Sequence, residues 1–255
     1  MGTLHCLDVG CADATVIKTA NATFLVDCHN IADHSALLPA NKKIRGVFIT
    51  HQHSDHYSGL NYLWDNGYTI EYLIYSPYDR RRNDSSVSLD EWTEFNGLKS
   101  KFENKGTKLY SPYRQSNFDK PYFASDGISF EIIGPEKSVA TSATREIHDA
   151  SLVIKAILGK RNCLFAGDAS DSNLEYIANN TTNYCNDILH ASHHGSINGA
   201  CLDFIKKANV KYTMMSTKSG THDNVPHPTA VKRYKDNTVH DVRRTDIDGT
   251  WKWVF

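Results

Sequence analysis

Two packed β-sheets with helices on their outer faces, an α/β sandwich, follow from how apolar segments are grouped along the 255 residues. Strand-like segments arrive in groups, helical segments fall between the groups, and polar, histidine-rich loops sit where strands end. The first group covers residues 3–8, 14–18 and 23–28, short runs rich in Val, Leu, Ile and Phe between Gly, Asp, Asn and Ala turns. An apolar strand over 44–50 then runs into His51. Tyr57, Leu60, Leu63 and Trp64 follow at helical spacing, so a helix begins near Asp55. Residues 71–75 read as a further strand, and 89–104, charged and amphipathic, as a surface helix.

The second half repeats the style. Residues 128–133, 151–158 and 162–166 read as successive strands, with Gly159-Lys160 as a hairpin turn. Another apolar strand, Ile188-Leu189-His190, leads into adjacent histidines. Helices are expected over 171–179, 201–208 and 228–234, and 250–255 alternates aromatic and other residues as a half-buried strand does. No repeat, low-complexity tract or linker divides the chain, so a single domain over 1–255 is expected.

Charge is nearly balanced, 28 Lys+Arg against 29 Asp+Glu, and 40% hydrophobic with 22% charged residues excludes a disordered, collagen-like or coiled-coil chain. No window reaches the ~18 consecutive apolar residues of a membrane span, so no membrane association is expected. The start has neither a basic nor an apolar leader region, and Cys6 stands where myristoylation of Gly2 would want Ser or Thr. Six cysteines are scattered without a Cys-x-x-Cys pair, which argues against a zinc ribbon or redox motif and favours a reducing, cytoplasmic setting.

The strongest chemical signal is His51-Gln52-His53-Ser54-Asp55-His56, placed after an apolar strand and at a helix start. Four nitrogen and oxygen donors in six residues suit a pair of borderline-soft divalent ions. His51 and His53, two apart on an extended loop, point the same way and can share one ion. Asp55 and His56 enter the helix and turn toward a second. Phe165-Ala166-Gly167-Asp168 delivers a carboxylate at a strand end, and Ile188-Leu189-His190-Ala191-Ser192-His193-His194-Gly195-Ser196 delivers further histidines. His148 lies just before the strand at 151–158.

Together with Asp27, these motifs resemble the metallo-β-lactamase superfamily. More narrowly they resemble the hydrolase domain of ComEC-type competence proteins and the related phosphorylcholine esterases. The matching stretches are Leu7-Asp8-Val9-Gly10-Cys11-Ala12-Asp13-Ala14, Ala150-Ser151-Leu152-Val153-Ile154, His193-His194-Gly195-Ser196 and Pro226-His227-Pro228. The family usually carries Gln-Gly where this chain has Cys11-Ala12, and often Asn where it has His148. The resemblance implies an αββα sandwich in which His51, His53 and His148 hold one ion. Asp55, His56 and a late histidine would hold the other, and Asp168 would bridge. His194, directly before Gly, is favoured over His193 as the late ligand. Asp27 is either a support for the ligand histidines or a plain strand-end turn, and His148 is either a ligand or a partly exposed loop histidine.

Two adjacent divalent ions, zinc or manganese, imply hydrolysis by a metal-bridging hydroxide, with the ions neutralising charge on the substrate oxygens. Asp55, His193 and His227 are the candidate catalytic side chains. His193 and His227 are candidates because neither is needed as a ligand and the leaving oxygen needs a proton. His227 alternatively is a helix-entry histidine before Pro228. The expected activity is a phosphodiesterase acting on DNA, RNA or nucleotides. The alternatives are a small-molecule phosphodiesterase (phosphocholine-type or cyclic-nucleotide) and a catalytically idle metal-binding module. Arg80-Arg81-Arg82 and Lys42-Lys43 with Arg45 are basic runs, and a solvated charged face explains them as well as a nucleic-acid footprint. Tyr75, Tyr78, Tyr110 and Tyr113 either stack on bases or pack loops.

Overall fold

The computed structural model describes residues 1–82, 84–114, 121–124, 127–140, 142, 146–185 and 187–255. The two halves of the chain build the two sheets. The first contains β1 (Thr3–Cys6), β2 (Ala14–Lys18), β3 (Thr23–Cys28), β4 (Lys43–Ile49), β5 (Thr69–Tyr75) and β6 (Lys108–Tyr110). The second contains β7 (Ile128–Gly134), β8 (Val153–Leu158), β9 (Arg161–Phe165), β10 (Ile188–His190), β11 (Tyr212–Met215) and β12 (Asp241–Arg244). The last strand, β13 (Trp251–Val254), returns to the first sheet and pairs antiparallel with β1. Strand order is β13-β1-β2-β3-β4-β5-β6 in one sheet and β12-β11-β10-β9-β8-β7 in the other.

Both sheets are mixed. β3 through β6 run parallel, as do β9 through β12, while the hairpins at the other edges are antiparallel. The expected turn at Gly159-Lys160 joins Leu158 to its partner Arg161, with Gly159 at a left-handed φ of 63°.

Packing follows the apolar pattern of each strand. Leu4, Ile17, Phe24 and Phe48 of the first sheet meet Phe130, Ile154, Phe165 and Met214 of the second in one inter-sheet core. The opposite face of the first sheet, with Val16, Leu25, Val47 and Leu73, packs under α2 (Gly59–Asp65) and α3 (Leu89–Asn104). The outer face of the second sheet packs under α5 (Asp171–Asn180), α6 (Leu202–Ala208) and α7 (Pro228–Asn237). Short helices α1 (Ser54–Tyr57), α4 (Lys137–Ala140) and α8 (Thr245–Asp248) and 3-10 turns over Ile31–Leu37, Ser192–Gly195 and Ile197–Gly199 lie in the connections. The result is the helix–sheet–sheet–helix sandwich expected from the chain. Trp251 and Trp253 turn toward the inter-sheet core while Val254 is exposed, which explains the alternation at the end of the sequence. Among the described residues no helix is long and apolar enough to cross a membrane.

Helix α3 begins with a reciprocal cap: Ser88 Oγ accepts from the Glu91 N–H, and the Glu91 carboxylate accepts from the Ser88 N–H.

Candidate metal centre

The carboxyl ends of β3, β4, β9 and β10 meet at one edge of the sandwich, where parallel strands commonly present a site. Beyond β4, Thr50 donates its N–H to Asp27 Oδ1 at 2.8 Å and its hydroxyl to Asp27 Oδ2 at 2.7 Å, pinning the strand end before the histidine loop begins. Gln52 is buried and donates Nε2 to the Ser76 carbonyl at 2.9 Å. Ser54, the first residue of α1, donates its N–H to Glu91 Oε1 at 3.1 Å, so the cap of α3 also satisfies α1.

Asp168 arrives after β9 through Gly167, whose φ is +50° and whose missing Cβ would lie 2.6 Å from Thr50 Cβ. Only glycine lets the two loops approach this closely. The Gly167 carbonyl accepts from the His193 N–H at 3.0 Å, joining the third loop. His193 and His194 both adopt left-handed backbone, with φ of 51° and 52°. That conformation costs an L side chain roughly 1–2 kcal/mol, and such strain concentrates at functional sites.

His51, His53 and His148 form one end of the cluster. His51 Nε2 lies 3.0 Å from His53 Nδ1, and His53 Nε2 donates to the Ser86 carbonyl at 2.7 Å, which leaves His53 Nδ1 as the inward lone pair. The His148 ring packs 5.3 Å from that of His51 and 5.1 Å from that of His53. Burial pushes His51 well below the usual imidazole range and His148 down to about 4, so both are neutral at pH 7.

Asp55, His56 and His194 form the other end. His194 Nε2 is 3.4 Å from Asp55 Oδ2, and His56 Nε2 is 3.9 Å from Asp55 Oδ1. Asp168 stands between the two ends. Its Oδ2 is 3.7 Å from His51 Nε2, and its Oδ1 is 3.3 Å from His56 Nε2 and 3.7 Å from His194 Nε2. Here burial works against the charged imidazoles but loses to the carboxylates. Asp168, Asp27 and Asp55 raise His56 well above its ordinary value, and Asp168 with Asp13 raises His194 to about 9. Burial likewise opposes ionisation of Asp55, which His56 and His194 nonetheless hold down at about 2.

The donor atoms fit divalent cations. His56 Nε2, His148 Nε2, His194 Nε2 and Asp168 Oδ1 are buried without a hydrogen-bond partner, a state that costs about 1–3 kcal/mol per atom when nothing satisfies it. Ligands about 2.1 Å from a tetrahedral ion stand about 3.4 Å apart, and the separations here, from 3.0 to 3.9 Å, bracket that value. These His and Asp clusters are consistent with a binuclear site.

The remaining sequence candidates fall close by. His193, a quarter exposed, has Nε2 3.7 Å from Asp168 Oδ2 and its ring 4.7 Å from that of His148, at the mouth of the His51 end. His227 is the N-cap of α7, with Nδ1 accepting from the Thr229 N–H at 3.1 Å, the helix-entry arrangement. Asp27 accepts from His56 Nδ1 at 2.9 Å, the supporting arrangement rather than a plain turn. Cys11 lies near Asp55 and Asp168, and burial lifts its thiol to about 11, so it stays neutral there. The histidine pattern did not flag Asp13, Ser86, Glu91 or Ser216. Only Glu91 carried a local signal, the Ser-x-x-Glu spacing of its cap.

The sequence profile of the metallo-beta-lactamase superfamily matches residues 8–216. The chain belongs to that superfamily. The fold and the clustered side chains are those of a metal-dependent hydrolase. Among solved structures it is similar to the metallo-beta-lactamase fold protein YhfI from Bacillus subtilis, at 16% identity and TM-score 0.59, covering 99% of this chain and 100% of that one. It is also similar to Igni18, a metallo hydrolase from Ignicoccus hospitalis, at 12% identity and TM-score 0.56 over 99% of both chains. A long-form RNase Z from yeast matches at 12% identity and TM-score 0.57, over 99% of this chain and 41% of that one. At these identities the likeness is one of fold. No protein of curated function matches the chain.

Proposed function

We propose that the chain is a two-metal phosphodiesterase acting on nucleic acid or nucleotides, one domain over its whole length, in a reducing cytoplasmic setting. His51, His53 and His148 would hold one divalent ion, Asp55, His56 and His194 the second, with Asp168 shared. The observation that carries this reading is the set of buried Nε2 and Oδ1 atoms, ion-paired in part but without hydrogen-bond partners, that converge between the two ends. Zinc or manganese suits this mix of nitrogen and oxygen donors. Bound there, the ions supply a water nucleophile ionised near neutral pH and neutralise charge on phosphate oxygens.

The protein's own contribution is orientation and proton delivery. His193 Nε2, at the mouth beside Asp168, is the group that would protonate the leaving oxygen. His227 has only Nε2 free for such a role, because Nδ1 caps α7. The resemblance to ComEC-type hydrolase domains and to phosphorylcholine esterases supports a phosphoester.

A specific observation favours a short substrate. Arg80 donates Nε to the Val87 carbonyl, and Arg81 donates to the Ser142 carbonyl, so these guanidiniums brace loops beside the site. Lys43 and Arg45 occupy the start of β4, eight and six residues before His51, which at about 3.3 Å per residue is roughly 20 Å or more away. Tyr78 is buried against Trp92 and donates to Asp84, and Tyr75 packs on Phe95. Few phosphates of a polymer would then be neutralised, about 2–4. A hydrolysis panel of bis-p-nitrophenyl phosphate, cyclic nucleotides, linear DNA and RNA, run with each metal, tests the reading. Cleavage of diesters with polymer cutting that weakens modestly in salt supports it. Cleavage of small diesters alone replaces it with a small-molecule phosphodiesterase, and loss of all hydrolysis in a metal-loaded protein leaves the idle binding module.

A further inference from the structure

Asp13 lies between β1 and β2, only 3% exposed, and its Oδ1 has no hydrogen-bond partner. A carboxylate buried in that state requires positive charge nearby. Oδ1 is 3.5 Å from His190 Nε2 and 3.7 Å from His194 Nδ1, and Oδ2 is 3.9 Å from His56 Nδ1. Its backbone is tied to the same region: the Asp13 N–H donates to the Asp55 carbonyl at 3.1 Å. One residue thus meets Asp55, His56 and His194. Among the described residues no hydrogen bond or ion pair joins it to His51, His53 or His148.

The side-chain contacts fall on the outward nitrogens. In both histidines Nε2 faces Asp55 and Asp168, while Nδ1 faces away. Each Nδ1 already has a closer partner, the Asp27 carboxylate at 2.9 Å for His56 and the Ser216 carbonyl at 3.1 Å for His194. Asp13 is the charge the two rings share from behind. The hydrogen bonds to Asp27 and Ser216 fix the ring orientations, and the Asp13 carboxylate adds negative charge that raises ligand basicity.

We propose that Asp13 is a positioning residue that sets cation affinity at the Asp55–His56–His194 end and leaves the His51–His53–His148 end unchanged. The inference rests on the two-metal reading above. The test uses metal-free wild type, Asp13→Asn and Asp13→Glu, titrated with Zn²⁺ against a chromophoric chelator. Bound zinc is counted by elemental analysis, and thermal unfolding in chelator checks the fold. The Asn variant is expected to keep one ion at wild-type affinity and to bind the other about 10–100-fold more weakly, with the Glu variant recovering part of the loss. Unchanged affinity for both ions, or equal weakening of both, overturns the proposal. If the Asn variant does not fold, the Glu variant decides: weakening confined to one ion supports the proposal, and no change or equal change overturns it. A wild type that binds fewer than two ions overturns the two-metal reading itself, an outcome distinct from any result on the variants.

Discussion

At the His51, His53 and His148 end the local donors are imidazoles, and burial keeps His51 and His148 neutral. At the Asp55, His56 and His194 end, after burial has opposed every charge, carboxylates still hold both imidazoles protonated. Neutral imidazole is the form that binds a cation, so the first end is ready at pH 7 without losing a proton. The second end is an ion-paired network whose positive charge is two protons, and a divalent ion would take their place. The lesson is that adjacent clusters sharing one carboxylate can differ in what holds them together before any cation arrives. The His51 end is held by contacts between neutral groups, His51 Nε2 with His53 Nδ1 and His53 Nε2 with the Ser86 carbonyl, while the His194 end is held by its own charges.

The largest expected effect comes from removing what the two ends share. Asp168→Asn should lose at least one of the ions seen by elemental analysis and lower diester hydrolysis by about 10³-fold or more, since several kcal/mol of charge stabilisation go with it. The late histidines then separate the ends. His194→Ala should drop one ion, whereas His193→Ala should keep both and lower turnover about 100-fold; the reverse pattern would exchange their roles.

A further contrast is thermal stability of the metal-free protein against pH. His56 and His194 have raised values, so their stabilisation is complete below about 6.5 and fades as pH rises through about 9 for His194. His51 and His148 have lowered values, so stability is retained above about 6.5 and is lost as pH falls toward about 4 for His148. Melting curves in chelator should therefore show a maximum near neutrality with losses on both sides, and saturating metal should remove the alkaline loss. A flat alkaline arm without metal would deny the ion-paired end. The smallest effect belongs to Ser88→Ala, which removes the cap of α3 at a cost of about 1 kcal/mol. A fall in Tm of about 2–4 °C is expected, with both metal affinities unchanged.

How much of this was readable from sequence depended on chain proximity. The donors of residues 51–56 are contiguous, and strand and helix periodicity around them fixed where they sit, so β2, β3 and α3 match their expected spans. Helix α1 ends at Tyr57 and α2 begins at Gly59, where one helix was expected from near Asp55. Strands β6, β11 and β12 left little pattern. The first is three residues long, β11 is buried at three of four positions, and β12 is Asp-Val-Arg-Arg on a sheet edge. Asp13 and Ser86 reach the cluster only through tertiary contacts, a carboxylate behind two imidazoles and a carbonyl fixing the His53 tautomer; Asp13 stands in the front stretch that carries the family resemblance, but nothing in its spacing shows which rings it meets.

Calorimetric titration of metal-free protein with Zn²⁺ at pH 7, repeated in buffers of different ionisation enthalpy, bears most directly on the central claim of two cation positions of unlike chemistry. The expected result is two ions per chain. One would displace about two protons, from His56 and His194, and the other none from His51 or His148. A single ion, or two ions with the same proton release, would contradict it.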